Sequence, residues 1–267
     1  MTNTCHYDRY TDYHMHSNYS DGSASIDQMA AAAIEKGLKA IAITDHMPLP
    51  FNTRYAMQRN RLQDYRKEIL QARKKYKDRL TILSGMEIEY IPRYRDWIKE
   101  IVEQGWDMLL VSVHGIVTDQ GHFMVNGRED EFKQALKTVF KDDIKAFCTH
   151  YYTLIREAAA TGWFDAAAHL DVIKKHNADN TYFDETATWY RDLINATLES
   201  LSRNNLKLEI NMNGINHKAG TTYPSHSIIR EACKKDISIV LGSDAHSPVR
   251  IGQHFREIEK MIPMTTN

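Results

Sequence analysis

Residues 11–46, TDYHMHSNYSDGSASIDQMAAAAIEKGLKAIAITDH, carry the signals of a complete strand–helix–strand unit. Thr11–His16 has the pattern of a strand, in which successive side chains face opposite ways. His14 and His16 therefore share a face, about 7 Å apart, with Met15 on the other. Such a pair can converge on one metal ion, or it can be two solvated residues of an edge strand; taken alone it does not choose. Further on, Ser25 is a helix N-cap residue, the alanines after it favour helix, and Gly37 ends it. Ala40–Thr44 is a second apolar strand running into Asp45 and His46. Two strands joined through a helix need a crossover connection, which makes them parallel neighbours.

The alternation continues along the chain. Leu80–Glu87, Met108–His114, Asp165–His169, Lys207–Asn211 and Ile237–Ser243 are further strand candidates, seven in all. Amphipathic stretches at Arg61–Asp78, Tyr94–Gly105, Glu129–Phe147, Tyr151–Thr161, Thr186–Asn204 and Ser225–Lys235 separate them. This predicts an α/β fold with a parallel sheet, and seven units suit a barrel ringed by helices better than an open sheet. With no internal repeat, low-complexity tract or Pro/Gly/Ser linker, residues 1–267 are expected to form a single barrel domain.

Composition narrows the function. The chain is 42% hydrophobic and 26% charged, with a net charge of −1, and lacks the basic excess of a general nucleic-acid binder. No apolar run approaches the roughly 18 residues of a membrane span. The polar start, MTNTCHYDRYTDY, has no apolar signal-peptide core, so a cytoplasmic protein is expected, with neither nucleic acid nor membrane as a partner. Cys5, Cys148 and Cys233 stand far apart, outside any CxxC or CxxH arrangement, and read as reduced thiols. Histidine occurs 13 times.

Where those histidines fall is informative. The first strand candidate ends in His14 and His16, and the loop after it offers Asp21. The second ends at Asp45 and His46, the third at Glu87 and Glu89, the fourth at His114. The fifth ends at His169 and Asp171 and the seventh at Asp244 and His246; the sixth, LEINMNG, offers Glu209 and Asn211 but no histidine. In a parallel barrel all these strand ends lie on one face. Singly, each residue has a plainer explanation: a strand-end histidine as a hydrogen-bonded loop residue, Asp45 as a cap, Asp21 as turn chemistry before Gly22. Jointly they form a His/carboxylate cluster without thiolate, a donor set that suits Zn, Mn or Fe. The candidates are too many for one ion but would serve two or three, with a carboxylate such as Glu87 bridging. Ions about 3.5–4 Å apart activate a shared water and clamp the oxygens of a phosphoryl group. Phosphoester hydrolysis is the leading chemistry, and amide or deamination hydrolysis on a similar barrel is the second.

The motifs YHMHSNYSDG, AITDHMPLP, GMEIEY, SVHG, HLD and GSDAHSP, in this order, resemble those of the polymerase-and-histidinol-phosphatase (PHP) superfamily. The resemblance runs from Asp12 to Phe255. TDHMPLP, GMEIEYIP, EIN and GSDAHSPVRIGQHF are similar to the superfamily's histidinol-phosphate phosphatases of the HisK type. The resemblance implies a distorted (β/α)7 barrel with a metal site at the C-terminal strand ends. It also implies a metal-dependent phosphomonoesterase that hydrolyses L-histidinol phosphate in histidine biosynthesis. Another small phosphate ester or a phosphodiester is the alternative substrate, and a metal-storing barrel without turnover is a third reading, against which the nine intact ligands argue.

Carried to these positions, the resemblance implies a first ion on His14, His16, Asp244 and a bridging Glu87. A second would sit on Glu87, His114 and His169, and a third on Asp21, His46 and His246. These would be three divalent ions, Zn first, Mn or Fe otherwise. A metal-bridging hydroxide would attack phosphorus, with Asp244 and His246 as the catalytic candidates; Asp244 or a metal-bound water would protonate the leaving alkoxide. For the small phosphorylated substrate, Lys174 and Lys175 are the first binding candidates, although such a pair is also a common solvated surface feature. Family members often carry Arg after the EIN strand, where this chain has EINMNGINHK, leaving His217 or Lys218 to substitute. Arg54 and Arg93 are weaker candidates. Glu89 is assigned a supporting role, and His6, His122, His150, His176, His226 and His254 are placed outside the site.

Overall fold

A capping box starts the first helix: Ser25 Oγ accepts from Gln28 N (3.2 Å), and Gln28 Oε1 accepts from Ser25 N (3.0 Å). This helix, α1 (Ile26–Glu35), connects β1 (Thr11–Asp12) to β2 (Ala40–Ile43). The chain, seen as a computed structural model, is described over residues 6–258. The elements that follow are α2 (Leu62–Tyr76), β3 (Thr81–Glu89), α3 (Arg95–Val102), β4 (Met108–Ser112), β5 (Gly115–Thr118), β6 (Gly121–Met124), α4 (Glu129–Phe140) and α5 (Ile144–Ala159). After them come β7 (Ala166–Ala167), α6 (Thr188–Arg203), β8 (Lys207–Asn211), α7 (His226–Lys234) and β9 (Ile239–Gly242).

Seven strands form one parallel sheet in the order β1-β2-β3-β4-β7-β8-β9. The seam between the outer strands is closed by backbone bonds just past β1. Tyr13 N donates to Leu241 O (2.8 Å), Asp244 N to His14 O (2.8 Å) and His16 N to Ala245 O (2.9 Å). The sheet is thus a nearly closed (β/α)7 barrel, in which every strand exit opens on the same end. Ala42, Met108, Leu110, Ala166, Ala168 and Val240 fill the inside. Their strand neighbours, such as Ile41, Leu109 and Val111, face the helices. Both faces are buried, as a parallel sheet requires. Tyr65 of α2 ties two strands together, its hydroxyl donating to Ile43 O (2.8 Å) and Gly85 O (2.9 Å).

Several boundaries differ from the sequence reading. The strands expected over 11–16 and 165–169 are regular for only two residues each, Thr11–Asp12 and Ala166–Ala167; past Asp12 the first continues only as single backbone bonds and a bridge from Met15 to Ala245. The fourth strand stops at Ser112 and is followed by an antiparallel hairpin, β5–β6, that the strand count omits. The helix expected over 129–147 breaks at Lys141 and Asp142, which take left-handed backbone (φ 55 and 67). Asp143 then caps a new helix, accepting from Ala146 N at 2.9 Å. Cys148 is free and buried, whereas Cys233 is disulfide-bonded, against the reading of three reduced thiols; sequence separation gives no sign of such pairing. Cys5 lies outside the described residues. Among the described residues, no helix is long and apolar enough to cross a membrane.

Candidate metal centre

Each strand exit delivers its polar side chain by a local device. After β1, the turn to Gly22 is so tight that a Cβ there would sit 2.5 Å from His16 O; only glycine allows Asp21 to swing back over the histidines. Asp45, buried, accepts from Ser17 N (2.9 Å), Ser17 Oγ (2.7 Å) and Ser20 N (3.0 Å), so it shapes this loop instead of facing the site. At the exits of β7 and β9, His169 (φ 26) and Asp244 (φ 51) adopt left-handed backbone. Such conformations cost about 1–3 kcal/mol each and are held where the surroundings demand them. Gly242 makes room next door: a Cβ there would strike the Glu209 carboxylate and His14 Cβ.

Glu87 of β3 is the hub. It is 1% exposed, and five imidazole nitrogens converge on its carboxylate: His169 Nε2 (2.8 Å) and His114 Nε2 (3.1 Å) on Oε1, His46 Nδ1 (2.9 Å), His14 Nε2 (3.3 Å) and His16 Nε2 (3.6 Å) on Oε2. His16 Nε2 lies 3.1 Å from His14 Nε2 and 3.3 Å from Asp244 Oδ1. On the open side, Asp21 Oδ1 stands 3.3 Å from His246 Nε2 and 3.8 Å from His46 Nε2. All nine ligands expected from the sequence therefore lie in one cluster. It divides into overlapping groups: His14, His16 and Asp244; His14, Glu87 and His169; His46, Glu87 and His114; and His16, Asp21, His46 and His246. The grouping differs in detail from the expected one, since His14, His16 and His46 each stand in two groups.

These residues fit divalent ions. Imidazole and carboxylate are the only donors, the set preferred by Zn, Mn and Fe. His14 Nε2 and His16 Nε2 (3.1 Å), and likewise His114 Nε2 and His169 Nε2 (3.3 Å), turn ring nitrogens toward a common spot. Glu87 Oε2, although 2.9 Å from His46 Nδ1, has no partner of hydrogen-bonding geometry among the described residues; nor have the buried His16 Nδ1 and His169 Nδ1. Buried polar atoms left without a partner amid so many converging imidazoles and carboxylates fit a site that takes a further partner.

Two carboxylates behind the cluster, Glu209 and Glu89, orient the rings. Glu209 Oε1 accepts from His14 Nδ1 (2.7 Å) and Oε2 from His169 N (2.6 Å). Glu89 Oε2 accepts from His114 Nδ1 (2.6 Å). Buried carboxylates that hold the far nitrogen of a metal-facing imidazole fix its tautomer. The role of Glu209 was not drawn from the sequence, although EIN displayed it at a strand end.

Charge in the cluster is strongly coupled. Burial opposes ionisation of Glu87, but His114, His46 and His14 outweigh it and hold its carboxyl well below the usual range. Asp244 is likewise held down, burial being outweighed by His14 and His16. Burial also opposes charge on His14 and His114, yet Glu209 and Glu87 in the first case, Glu87 and Glu89 in the second, raise them well above an ordinary histidine. His246 rises to about 9 through Asp21 and Asp244, against its burial. His16 is pushed down to about 3 by burial and by His246 and His46.

The cluster floors a pocket of about 290 Å³, small enough for a polar metabolite, walled by Tyr55, Met124, Asn126, Lys175, Asn213 and His217. The substrate candidates separate here. Lys175 lines the pocket, Nζ donating to Asn126 O (2.6 Å). Lys174 does not: it is 1% exposed, with Nζ 2.8 Å from Asp171, though out of hydrogen-bonding alignment. Its place one position earlier in a 3₁₀ turn aims it into the protein. His217 lines the pocket, its Nδ1 sharing a hydrogen bond with Tyr223 Oη (3.1 Å). Burial and Lys175 push its pKa down to about 4, so it is a neutral group there. Lys218, Arg54 and Arg93 face outward in ion pairs with Glu129 (2.8 Å), Glu131 (2.7 Å) and Asp119 (2.9 Å), and none lines the pocket.

Comparison with known proteins agrees with this architecture. The PHP domain family matches residues 12–213. A histidinol-phosphatase of Bacillus subtilis is 27% identical over 90% of this chain and 95% of its own length. A Deinococcus radiodurans protein provisionally named histidinol-phosphatase is 28% identical over 98% and 94%. Two crystal structures share the fold. One is the Lactococcus lactis histidinol phosphate phosphatase complexed with Zn, L-histidinol and phosphate (TM-score 0.70, 21% identity, 95% of this chain and 92% of that one). The other is a Listeria monocytogenes protein provisionally assigned as hisK (TM-score 0.79, 20% identity, 92% and 99%).

Proposed function

We propose, from the premise that this chain belongs to the PHP domain family, that it is a metal-dependent phosphomonoesterase whose substrate is L-histidinol phosphate. The observation that carries the proposal is the convergence of nine His, Asp and Glu side chains around Glu87 on the floor of a small pocket. We assign His14, His16, Asp244 and Glu87 to a first ion, Glu87, His114 and His169 to a second, and Asp21, His46 and His246 to a third. Divalent ions, Zn foremost, would supply the Lewis acidity and the activated water that phosphoester hydrolysis needs.

The chain's own residues do the rest. Glu209 and Glu89 keep the rings of His14 and His114 in one tautomer. Lys175, the single Lys or Arg of the pocket wall among the described residues, offers its ammonium to a phosphoryl oxygen. Neutral His217 and Asn213 line the space left for the alcohol portion. Asp244, held as a carboxylate, serves as a ligand and as acceptor for Asn211 Nδ2 (3.3 Å) and Asn213 Nδ2 (3.4 Å) more readily than as a proton donor.

The choice of L-histidinol phosphate is supported by the names of the curated relatives and by the ligands of the Lactococcus structure. One observation favours a second reading, another small phosphate ester: among the described residues no arginine lines the pocket, and Lys218 is committed to Glu129. Comparing kcat/KM for L-histidinol phosphate with that for a panel of small phosphate monoesters tests the assignment. A preference of about a hundredfold or more is expected. Equal turnover of a generic ester would remove the specific substrate and leave the phosphatase.

A further inference from the structure

Tyr55, in the loop after β2, lines the metal pocket. Its ring meets His46 edge-on, with centroids 4.9 Å apart and planes at 69°, and lies 6.0 Å from His114. Its hydroxyl is buried and has no hydrogen-bond partner among the described residues. Buried phenol hydroxyls normally find an acceptor. Other buried tyrosines obey this: the Tyr65 hydroxyl is shared by two backbone carbonyls, Tyr152 and Tyr190 share a bond (2.8 Å), and Tyr223 is bonded to His217. Tyr55 does not, and it stands over the His46 and His114 part of the floor.

What could satisfy it is restricted. The hydroxyl is a donor seeking an oxygen acceptor, and the nearby carboxylates already face the imidazoles. The acceptor that the pocket is shaped to receive is the substrate's phosphoryl group. With no arginine in the wall among the described residues, uncharged donors carry more of that group's hydrogen bonding, and Lys175 comes from a different strand exit, beyond β7. We propose that Tyr55 Oη donates a hydrogen bond to a non-bridging phosphoryl oxygen of the substrate, so that Tyr55 and Lys175 together hold the phosphate over the floor. This rests on the phosphoester reading of the site.

The Tyr55→Phe variant removes one oxygen and keeps the ring packed on His46. The decisive measurement is the affinity of metal-loaded protein for inorganic phosphate by calorimetry, wild type against variant. Metal content and kcat/KM for L-histidinol phosphate are read in parallel. Unchanged metal content with phosphate affinity about tenfold weaker is expected, the loss of one hydrogen bond to a charged acceptor. Affinity within about twofold of wild type, or no phosphate binding by the wild type, overturns the proposal. Loss of metal in the variant also overturns it, since Tyr55 would then be a support for His46 and His114. The two readings separate cleanly. If wild type binds phosphate but leaves L-histidinol phosphate intact, and the variant binds phosphate more weakly, Tyr55 keeps its role and the substrate assignment falls. Turnover with unaltered phosphate affinity does the reverse.

Discussion

Glu209 holds His14 from behind: its Oε1 lies 2.7 Å from His14 Nδ1, both side chains fully buried, while His14 Nε2 faces Glu87 and His16. The same carboxylate accepts from the backbone of His169, so one side chain from β8 sets two proposed ligands. Glu209→Gln, which keeps the shape and removes the charge, is expected to lower metal affinity and activity about 10–100-fold. Metal retained per chain after dialysis checks this; retention equal to wild type would deny Glu209 the role.

The ligands themselves should behave differently from their supports. His14→Asn or Asp244→Asn is expected to cut phosphatase activity by about a hundredfold or more, with circular dichroism and thermal midpoint close to wild type. Wild-type-like turnover in either would sink the ligand assignment.

Metal uptake should be proton-coupled. His14 and His114 are held protonated well above the usual histidine range, and His246 to about 9. An imidazole binds metal only when neutral. At pH 7 each must therefore release its proton, so affinity rises with pH, about tenfold per unit for each proton released below its pKa. Calorimetric titrations between pH 6 and 8, in buffers of different ionisation enthalpy, read this directly. An affinity that is flat across that window contradicts it.

Adjacent lysines should give opposite phenotypes. Lys175→Ala is expected to raise KM about tenfold with little effect on the melting temperature. Lys174→Ala strands the buried Asp171 carboxylate and should destabilise the fold by about 3–5 kcal/mol. Denaturant unfolding together with steady-state kinetics distinguishes them. Lys218→Ala and Arg54→Ala, on the outer surface, should change KM by less than about twofold.

Away from the site, Tyr65→Phe deletes a hydroxyl bonded to Ile43 O and Gly85 O. With the one hydroxyl hydrogen shared by two buried carbonyls removed, a loss of about 1–3 kcal/mol is expected. A variant as stable as wild type would show the strands do not need it.

Much of this was legible in the sequence because strand ends are chemically conspicuous. The strand 207–211 matches β8 residue for residue, and the nine His, Asp and Glu positions named from strand exits do gather on one face. The hairpin β5–β6 was overlooked although GIVTDQGHFMV alternates around a turn, because it belongs to no strand–helix–strand unit. Lys174 and Lys175 could not be ranked, since one position in a 3₁₀ turn decides between burial and the pocket. Tyr55 gave no signal at all: its loop has no periodicity, and only the fold brings its ring against His46. Glu209 was visible, but its partner is 195 residues away.

The most direct test is the release of inorganic phosphate from L-histidinol phosphate as a divalent ion, Zn first, is titrated back into chelator-treated protein. The account predicts no release at the start, a rise with loading, and saturation near three ions per chain. Release that is indifferent to the metal, or none at any loading, would contradict it.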